Sequence, residues 1–205
     1  EELKHISVMS VHDDSDGIAS AVLLNKALGL NATCEFPDEF GAYNDQTDLI
    51  LDMVPLPGYS RLCIDHHPLH PENPPYRLYW RDVPTGLIIY DLVKERLTPE
   101  DKWKVVVSLV GDGQPYLTPK EVLEECPELL QEVSNPYQKG IDLTLYHNPV
   151  WLMLSSPING LAKIGQPITA YNLLYRAKSP SDIIFDKIAQ EAKKEVRNEV
   201  NRCLK

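Results

Sequence analysis

The sequence predicts an α/β domain, a mostly parallel sheet flanked by helices, ending in one long amphipathic helix. Three observations carry this. Short β-branched or apolar runs alternate with segments of helical period, as when strands are joined through helices. The runs Asp48–Val54 and Arg61–Asp65 are nearly unbroken apolar stretches between turn residues, which suits strands buried on both faces. Near the C-terminal end, Ile184, Ile188, Ala192, Val196, Val200 and Leu204 recur every fourth residue among Lys, Arg, Glu and Asn.

Taken in order, Lys4–His12 is rich in β-branched residues and partly alternating, which predicts a first strand. Asp16–Leu30 follows as a helix, with apolar positions Ile18, Ala21, Val22, Leu24, Ala27 and Leu28 and Gly29 to close it. Asn31–Phe36, Asp48–Val54 and Arg61–Asp65 are the next strands. Thr85–Arg96 and Pro99–Val110 read as helices, the second opened by Thr98, Pro99 and the early acids Glu100 and Asp101. From Leu117 to Arg176 the pattern is mainly helical, with proline breaks at 127, 136, 149, 157 and 167. The final helix follows the turn at Ser179-Pro180. It would either pack on its own domain or link to another domain or chain.

The 205 residues make one ordinary domain, or one with a small appendage. Acidic residues outnumber basic ones 30 to 20, a net charge of −10, which argues against a broad basic face for nucleic-acid backbones. The same balance suits hard cations, which need clustered carboxylates. Apolar residues at 43% and charged ones at 24% exclude disorder along the whole chain. No apolar run approaches the roughly 18–20 residues that cross a bilayer. The N-terminal Glu-Glu-Leu-Lys-His lacks the pattern of a signal peptide. Cys34, Cys63, Cys126 and Cys203 are scattered, with no Cys-x-x-Cys, and read as reduced thiols of a cytoplasmic protein with no membrane association.

Metal-ligand residue types cluster where the predicted strands end. The first strand runs into His12-Asp13-Asp14-Ser15-Asp16-Gly17, another into Asp52, a third into Asp65-His66-His67. Gly111-Asp112-Gly113 sits where a helix stops. Open α/β sheets form their sites beyond the carboxyl ends of strands, so these segments would meet in one crevice. Each part alone has a plainer reading: a single strand-end Asp is usually a cap or turn former. A calcium loop fails, because with Gly17 at loop position six His12 stands at position one and Leu23 at position twelve. A phosphoaspartate nucleophile would leave the histidines without a role. A helical zinc pair at His66 and His70 fails against Pro68 and Pro71.

The set resembles the DHH phosphoesterase superfamily. Its motif His-x-Asp-x-Asp-Gly-x-x-Ser-Ala is matched by His12, Asp14, Asp16, Gly17, Ser20 and Ala21, and its later motifs by Asp52, Asp65-His66-His67 and Asp112. Pro157-Ile158-Asn159-Gly160-Leu161-Ala162-Lys163-Ile164 resembles a stretch of RecJ-type single-strand exonucleases, with Lys163 where that family has arginine. The family's following domain carries a glycine-rich segment ending in His. No Gly-Gly pair occurs here, so the family's C-terminal substrate-binding domain is expected to be absent from this chain, either because the chain is a catalytic-domain fragment or because that half is genuinely missing.

The resemblance implies two divalent ions. His12, Asp14 and Asp52 would hold one; Asp16, Asp52, His66 and Asp112 would hold the other, with Asp52 as the bridge. Nitrogen and carboxylate ligands without a thiolate suit Mn²⁺, or Mg²⁺, better than Zn²⁺ or copper. His67 and Asp65 would be the catalytic pair, His67 contacting phosphate and Asp65 orienting a histidine. Asp13, between two ligand positions, should point away. Asn159 and Lys163 are expected to bind substrate.

The function implied is metal-dependent hydrolysis of phosphodiester bonds, with RecJ-like cleavage of single-stranded DNA or RNA as the leading reading. The alternatives are a small-substrate phosphoesterase acting on nanoRNA, cyclic dinucleotides or nucleoside bisphosphates, and a non-catalytic scaffold subunit of a replication or repair complex. Inorganic pyrophosphatase fails, because its pattern needs Asp where Ile18 stands. The expected organisation is a catalytic domain over 1–178 and a linker or docking helix over 179–205 that could engage a protein partner or second domain.

Overall fold

The computed structural model describes residues 2–134 and 147–203. Five strands, β1 (Val8–Val11), β2 (Thr33–Glu35), β3 (Leu49–Leu51), β4 (Leu62–Asp65) and β5 (Arg77–Trp80), form an all-parallel sheet in the order β2-β1-β3-β4-β5. Register is continuous through the centre, where Met9 pairs with Leu49 and Leu49 with Leu62.

Alternation along β3 and β4 divides the core. Leu49, Leu51, Leu62 and Ile64 face the large cluster built with helices α1 (Ser15–Leu28), α2 (Thr85–Val93) and α4 (Val105–Gly111). Ile50 and Cys63 face the other way, into a small cluster with Met53, Tyr59 and Tyr76. Loops supply the cover on that side, and Ser10 of β1 donates to the backbone oxygen of Ala42 there at 2.6 Å.

α1 forms where its signals lie. Asp14 caps it, accepting from the N–H groups of Asp16 and Gly17, and Gly29 closes it in the left-handed conformation at φ 62°. The first strand is shorter than its sequence pattern, since Glu2–His5 coils into a 3-10 turn. Pro99–Val110 divides into α3 (Pro99–Lys102) and α4, with a tightened turn at Trp103-Lys104 where both side chains are buried. β5 has no counterpart among the predicted strands. Its Arg77-Leu78-Tyr79-Trp80 is aromatic-rich but directly follows Pro74-Pro75-Tyr76.

The mainly helical reading of Leu117–Arg176 holds for most of the described residues, with one exception. After α5 (Lys120–Glu125) comes a two-stranded antiparallel ribbon, β6 (Glu132–Ser134) with β7 (His147–Pro149). Pro136 lies outside the described residues. The prolines at 127 and 167 start helical turns instead of breaking them, because a first-turn proline loses no helical hydrogen bond. α6 (Ser155–Lys163) carries Pro157 in its own first turn, and α7 (Pro167–Arg176) follows. The terminal stripe is also divided. Ser179 and Asp182 form a capping box on a short α8 (Pro180–Ile184), and the long helix α9 spans Lys187–Cys203. Ile184 therefore belongs to α8, and Leu204 lies outside the described residues. The first half of α9 packs on α6 through buried Ala189 and Ala192, whereas Val200 is exposed. No helix among the described residues is long and apolar enough to cross a membrane.

Candidate metal centre

The carboxyl ends of β1, β3 and β4 lie side by side in the sheet, and the polar residues that follow each strand converge there. His12 continues β1 by donating its backbone N–H to Leu51 at 3.2 Å. Asp14 serves two ends at once. Its Oδ1 caps α1, accepting from the amides of Asp16 at 2.9 Å and Gly17 at 3.0 Å, and its Oδ2 lies 3.1 Å from His12 Nδ1. Gly17 permits that turn, because a Cβ there would collide with the His12 carbonyl. Asp13 is exposed, as its place between two inward residues predicts.

Asp52 ends β3 on a left-handed backbone at φ 62° and is fully buried. One oxygen lies 3.4 Å from His12 Nδ1. The other lies 3.4 Å from His66 Nε2 and accepts from Thr85 Oγ1 at 2.9 Å. Asp16, also buried, is held by the first turn of α2, where its two oxygens accept from the amides of Thr85 and Gly86, each at 2.8 Å. A Cβ at position 86 would strike Ser108 and crowd Asp16, so this approach needs glycine. Asp112, at the end of α4, places Oδ2 3.2 Å from His66 Nε2. The same His66 nitrogen is 3.7 Å from Asp16.

Three overlapping groups result: His12, Asp14 and Asp52; Asp52, His66 and His67; and Asp16, His66 and Asp112. Within each, one ligand atom per residue lies within 4.8 Å of the others. All six residues expected as ligands are thus brought together.

The electrostatics are those of crowded anions. Burial and the charges of Asp52 and Asp112 push Asp16 well above the usual carboxylate range, while its two amide donors favour the ionised form. Burial, then the charge of Asp52, raises Asp112 to about 6. Burial also works against ionisation of Asp52, but the rings of His12 and His66, each 3.4 Å from one of its oxygens, outweigh it and hold Asp52 low. Burial opposes protonation of His12, yet the carboxylates of Asp14 and Asp52 raise it to about 10. His12 Nδ1 and Asp112 Oδ2 are buried without a well-formed hydrogen bond. Both are atoms of metal-ligand type, a cation would displace any proton on the imidazole, and the donor set is all nitrogen and carboxylate oxygen, so the residues fit hard divalent cations.

Asp65 is fully buried behind this cluster. Its Oδ1 accepts from the His66 amide at 2.8 Å and meets His67 Nδ1 at 2.7 Å; its Oδ2 meets His70 Nε2 at 2.8 Å. The Asp65 hydrogen bond, offset by burial, raises the His67 pKa. Asp65 thus orients His67 and His70, and touches only the backbone of His66. The half-exposed Phe40 stands edge-on to both His12 and His67, with ring centroids at 5.1 Å and 5.3 Å.

Asn159 is occupied elsewhere: its Oδ1 accepts from the Ser15 amide at 2.7 Å, tying α6 to the start of α1. Lys163 is exposed at the far end of α6, and nothing groups it with the cluster. Sequence reasoning missed Thr85, Gly86, Phe40 and Tyr76, and weighed His70 only as half of a helical zinc pair. Only Pro84-Thr85-Gly86, a proline and small residues opening a helix, carried a local signal.

The fold is an α/β domain similar to that of solved RecJ structures. The chain superposes on the crystal structure of exonuclease RecJ bound to manganese with a TM-score of 0.61 at 16% identity, covering 95% of this chain and 61% of that one. It superposes on RecJ in complex with Mn²⁺ from Thermus thermophilus with a TM-score of 0.56 at 17% identity, covering 95% of this chain and 35% of that one. The chain therefore spans less than two thirds of the length of these structural relatives. No protein-family model and no curated protein matches the chain.

Proposed function

We propose that this chain is a metal-dependent phosphoesterase of the DHH superfamily that hydrolyses phosphodiester bonds in single-stranded DNA or RNA, in the manner of a RecJ-like exonuclease. The observation that carries the reading is Asp52, buried at a strand end with each oxygen turned to a different histidine of the cluster. That is the arrangement a carboxylate needs to bridge two cations. His12, Asp14 and Asp52 would hold one ion, and Asp16, Asp52, His66 and Asp112 the other, with Mn²⁺ preferred over Mg²⁺. When bound, the ions would supply charge neutralisation and activation of a water for attack on phosphorus.

The chain's own residues do the rest. The first turn of α2 fixes Asp16, and Thr85 fixes Asp52, so two ligands are positioned before any ion arrives. His67, held through Nδ1 by Asp65, would contact a phosphoryl oxygen through Nε2, donating there when the ring carries its second proton. Phe40 closes one side of the mouth and limits water around His12 and His67. Residues 1–178 form the catalytic unit in this reading and 179–205 the linker or docking helix. The cysteines are all unpaired, which supports a reducing, cytoplasmic setting.

A Mn²⁺ titration by calorimetry, followed by a substrate panel from a dinucleotide to a long single strand, tests the proposal. Two ions bound per chain and Mn²⁺-dependent cleavage of single strands are expected. Cleavage of dinucleotides alone selects the small-substrate reading, and no hydrolysis of any phosphodiester overturns the assignment.

A further inference from the structure

Asp65 is an unusual side chain to bury in full, and three partners meet its two oxygens: the His66 amide and His67 at Oδ1, and His70 at Oδ2. An ionised carboxylate only accepts hydrogen bonds, so each ring nitrogen against it must carry the proton. His67 is then protonated at Nδ1 and His70 at Nε2. With Nε2 on the carboxylate, His70 turns Nδ1 to the hydroxyl of Tyr76, 2.7 Å away. The side chains of His70 and Tyr76 are each only 7% exposed, so little water competes for these positions. Tyr76, His70, Asp65 and His67 thus form one chain of donors and acceptors. Trp80 also ties down the backbone of His67, donating from Nε1 to its carbonyl at 2.8 Å.

We propose that His70 is a positioning residue: anchored by Tyr76, it holds Asp65 in the orientation that fixes His67 as the Nδ1–H tautomer with Nε2 as the free nitrogen. Without His70 the carboxylate loses the partner of one oxygen and can rotate, and His67 loses its unique orientation. A network in which every member is satisfied specifies one geometry, and a half-satisfied one does not. The consequence for turnover rests on the function proposed above, whereas the tautomer does not.

The test uses the full chain and the variants His70→Leu, His70→Gln and Tyr76→Phe. Imidazole ¹⁵N–¹H correlation spectra of the metal-free proteins are recorded at alkaline pH, where the His67 ring is neutral. The parent should show His67 protonated at Nδ1 alone. His70→Leu should give a mixture of tautomers, and its kcat with Mn²⁺ should fall about ten- to a hundredfold with KM little changed. Gln presents an amide N–H where His has Nε2–H, so His70→Gln should retain the single tautomer and most of the rate. Tyr76→Phe removes only the hydroxyl and should loosen the tautomer partially, which decides the matter if His70→Leu does not fold. A parent-like His67 spectrum in His70→Leu, or in Tyr76→Phe where the former is unfolded, overturns the proposal. So does a His70→Gln variant as impaired as His70→Leu. If the parent hydrolyses no phosphodiester, the function fails while the tautomer result still stands or falls alone.

Discussion

Asp52 is the only non-glycine residue among the described ones with a positive φ. Residues other than glycine, asparagine and aspartate pay about 1–2 kcal/mol for that conformation. This separates the residue's chemical role from its backbone role. Asp52→Asn keeps a side chain that tolerates φ 62° and an oxygen that still accepts from Thr85, but it cannot offer two anionic oxygens to two cations. The expected outcome is a folded protein whose bound Mn²⁺ drops below that of the parent. Its hydrolysis rate should fall by more than the roughly hundredfold that loss of an outer hydrogen-bond partner costs. Asp52→Ala should show the same loss of activity and a further drop in melting temperature, from the backbone cost. Calorimetric Mn²⁺ titration and thermal melts of the metal-free variants check both. An Asp52→Asn protein with parental rates would remove the bridging role.

The tightened turn between α3 and α4 carries a buried ion pair. Lys104 is fully buried, and its ammonium is paired with Asp101, which also lies 3.7 Å from Lys26. Removing one partner of a buried pair leaves an uncompensated charge, so Asp101→Asn should cost about 3 kcal/mol at neutral pH. Replacing Lys104 by Met in that background should recover most of it. The pH dependence follows from Asp101, which burial alone would raise but which Lys104 holds below its usual 3.8. Its contribution is complete above 3.8 and is lost as pH falls through the depressed folded value. Urea unfolding of parent and Asp101→Asn should therefore show a constant gap at neutral pH that closes in acid. α9 poses a different question, because only its first half is packed. Deleting residues 196–205 should cost less than about 1 kcal/mol, since the side chains from Arg197 to Cys203 are exposed. Deleting 187–205 uncovers the α6 face against Ala189 and Ala192 and should cost about 3 kcal/mol or more. Equal losses from the two truncations would mean that the distal half is packed as well.

Across the whole molecule, the sequence was informative where signals are local and silent where they are not. β1, α1 and β4 follow from β-branched runs, caps and a closing glycine, and their ends place His12, Asp14, Asp16 and His66. The anchoring of Asp16 by the α2 amides joins residues 69 and 70 positions apart, and such a contact leaves no periodic trace. The same holds for Asn159, whose amide meets a backbone N–H 144 residues away. β5 and the β6–β7 ribbon escaped because short strands beside prolines resemble loops in sequence. Net charge is likewise legible without coordinates, and it constrains how a polyanion can bind. With 30 acidic against 20 basic residues and an anionic cluster at the site, the chain can neutralise few phosphates by direct contact. Each phosphate neutralised on a single strand contributes about −0.7 to the slope of log affinity against log salt. Two or three contacts near the bound cations therefore give a slope no steeper than about −2. Measured between about 50 mM and physiological salt with Mn²⁺ held constant, the affinity for a long single strand should fall no more than about tenfold. The specificity constant for a dinucleotide should lie close to that for the long strand. A slope steeper than about −4 would require about six or more phosphates to be neutralised, and with them a cationic groove that this composition does not supply.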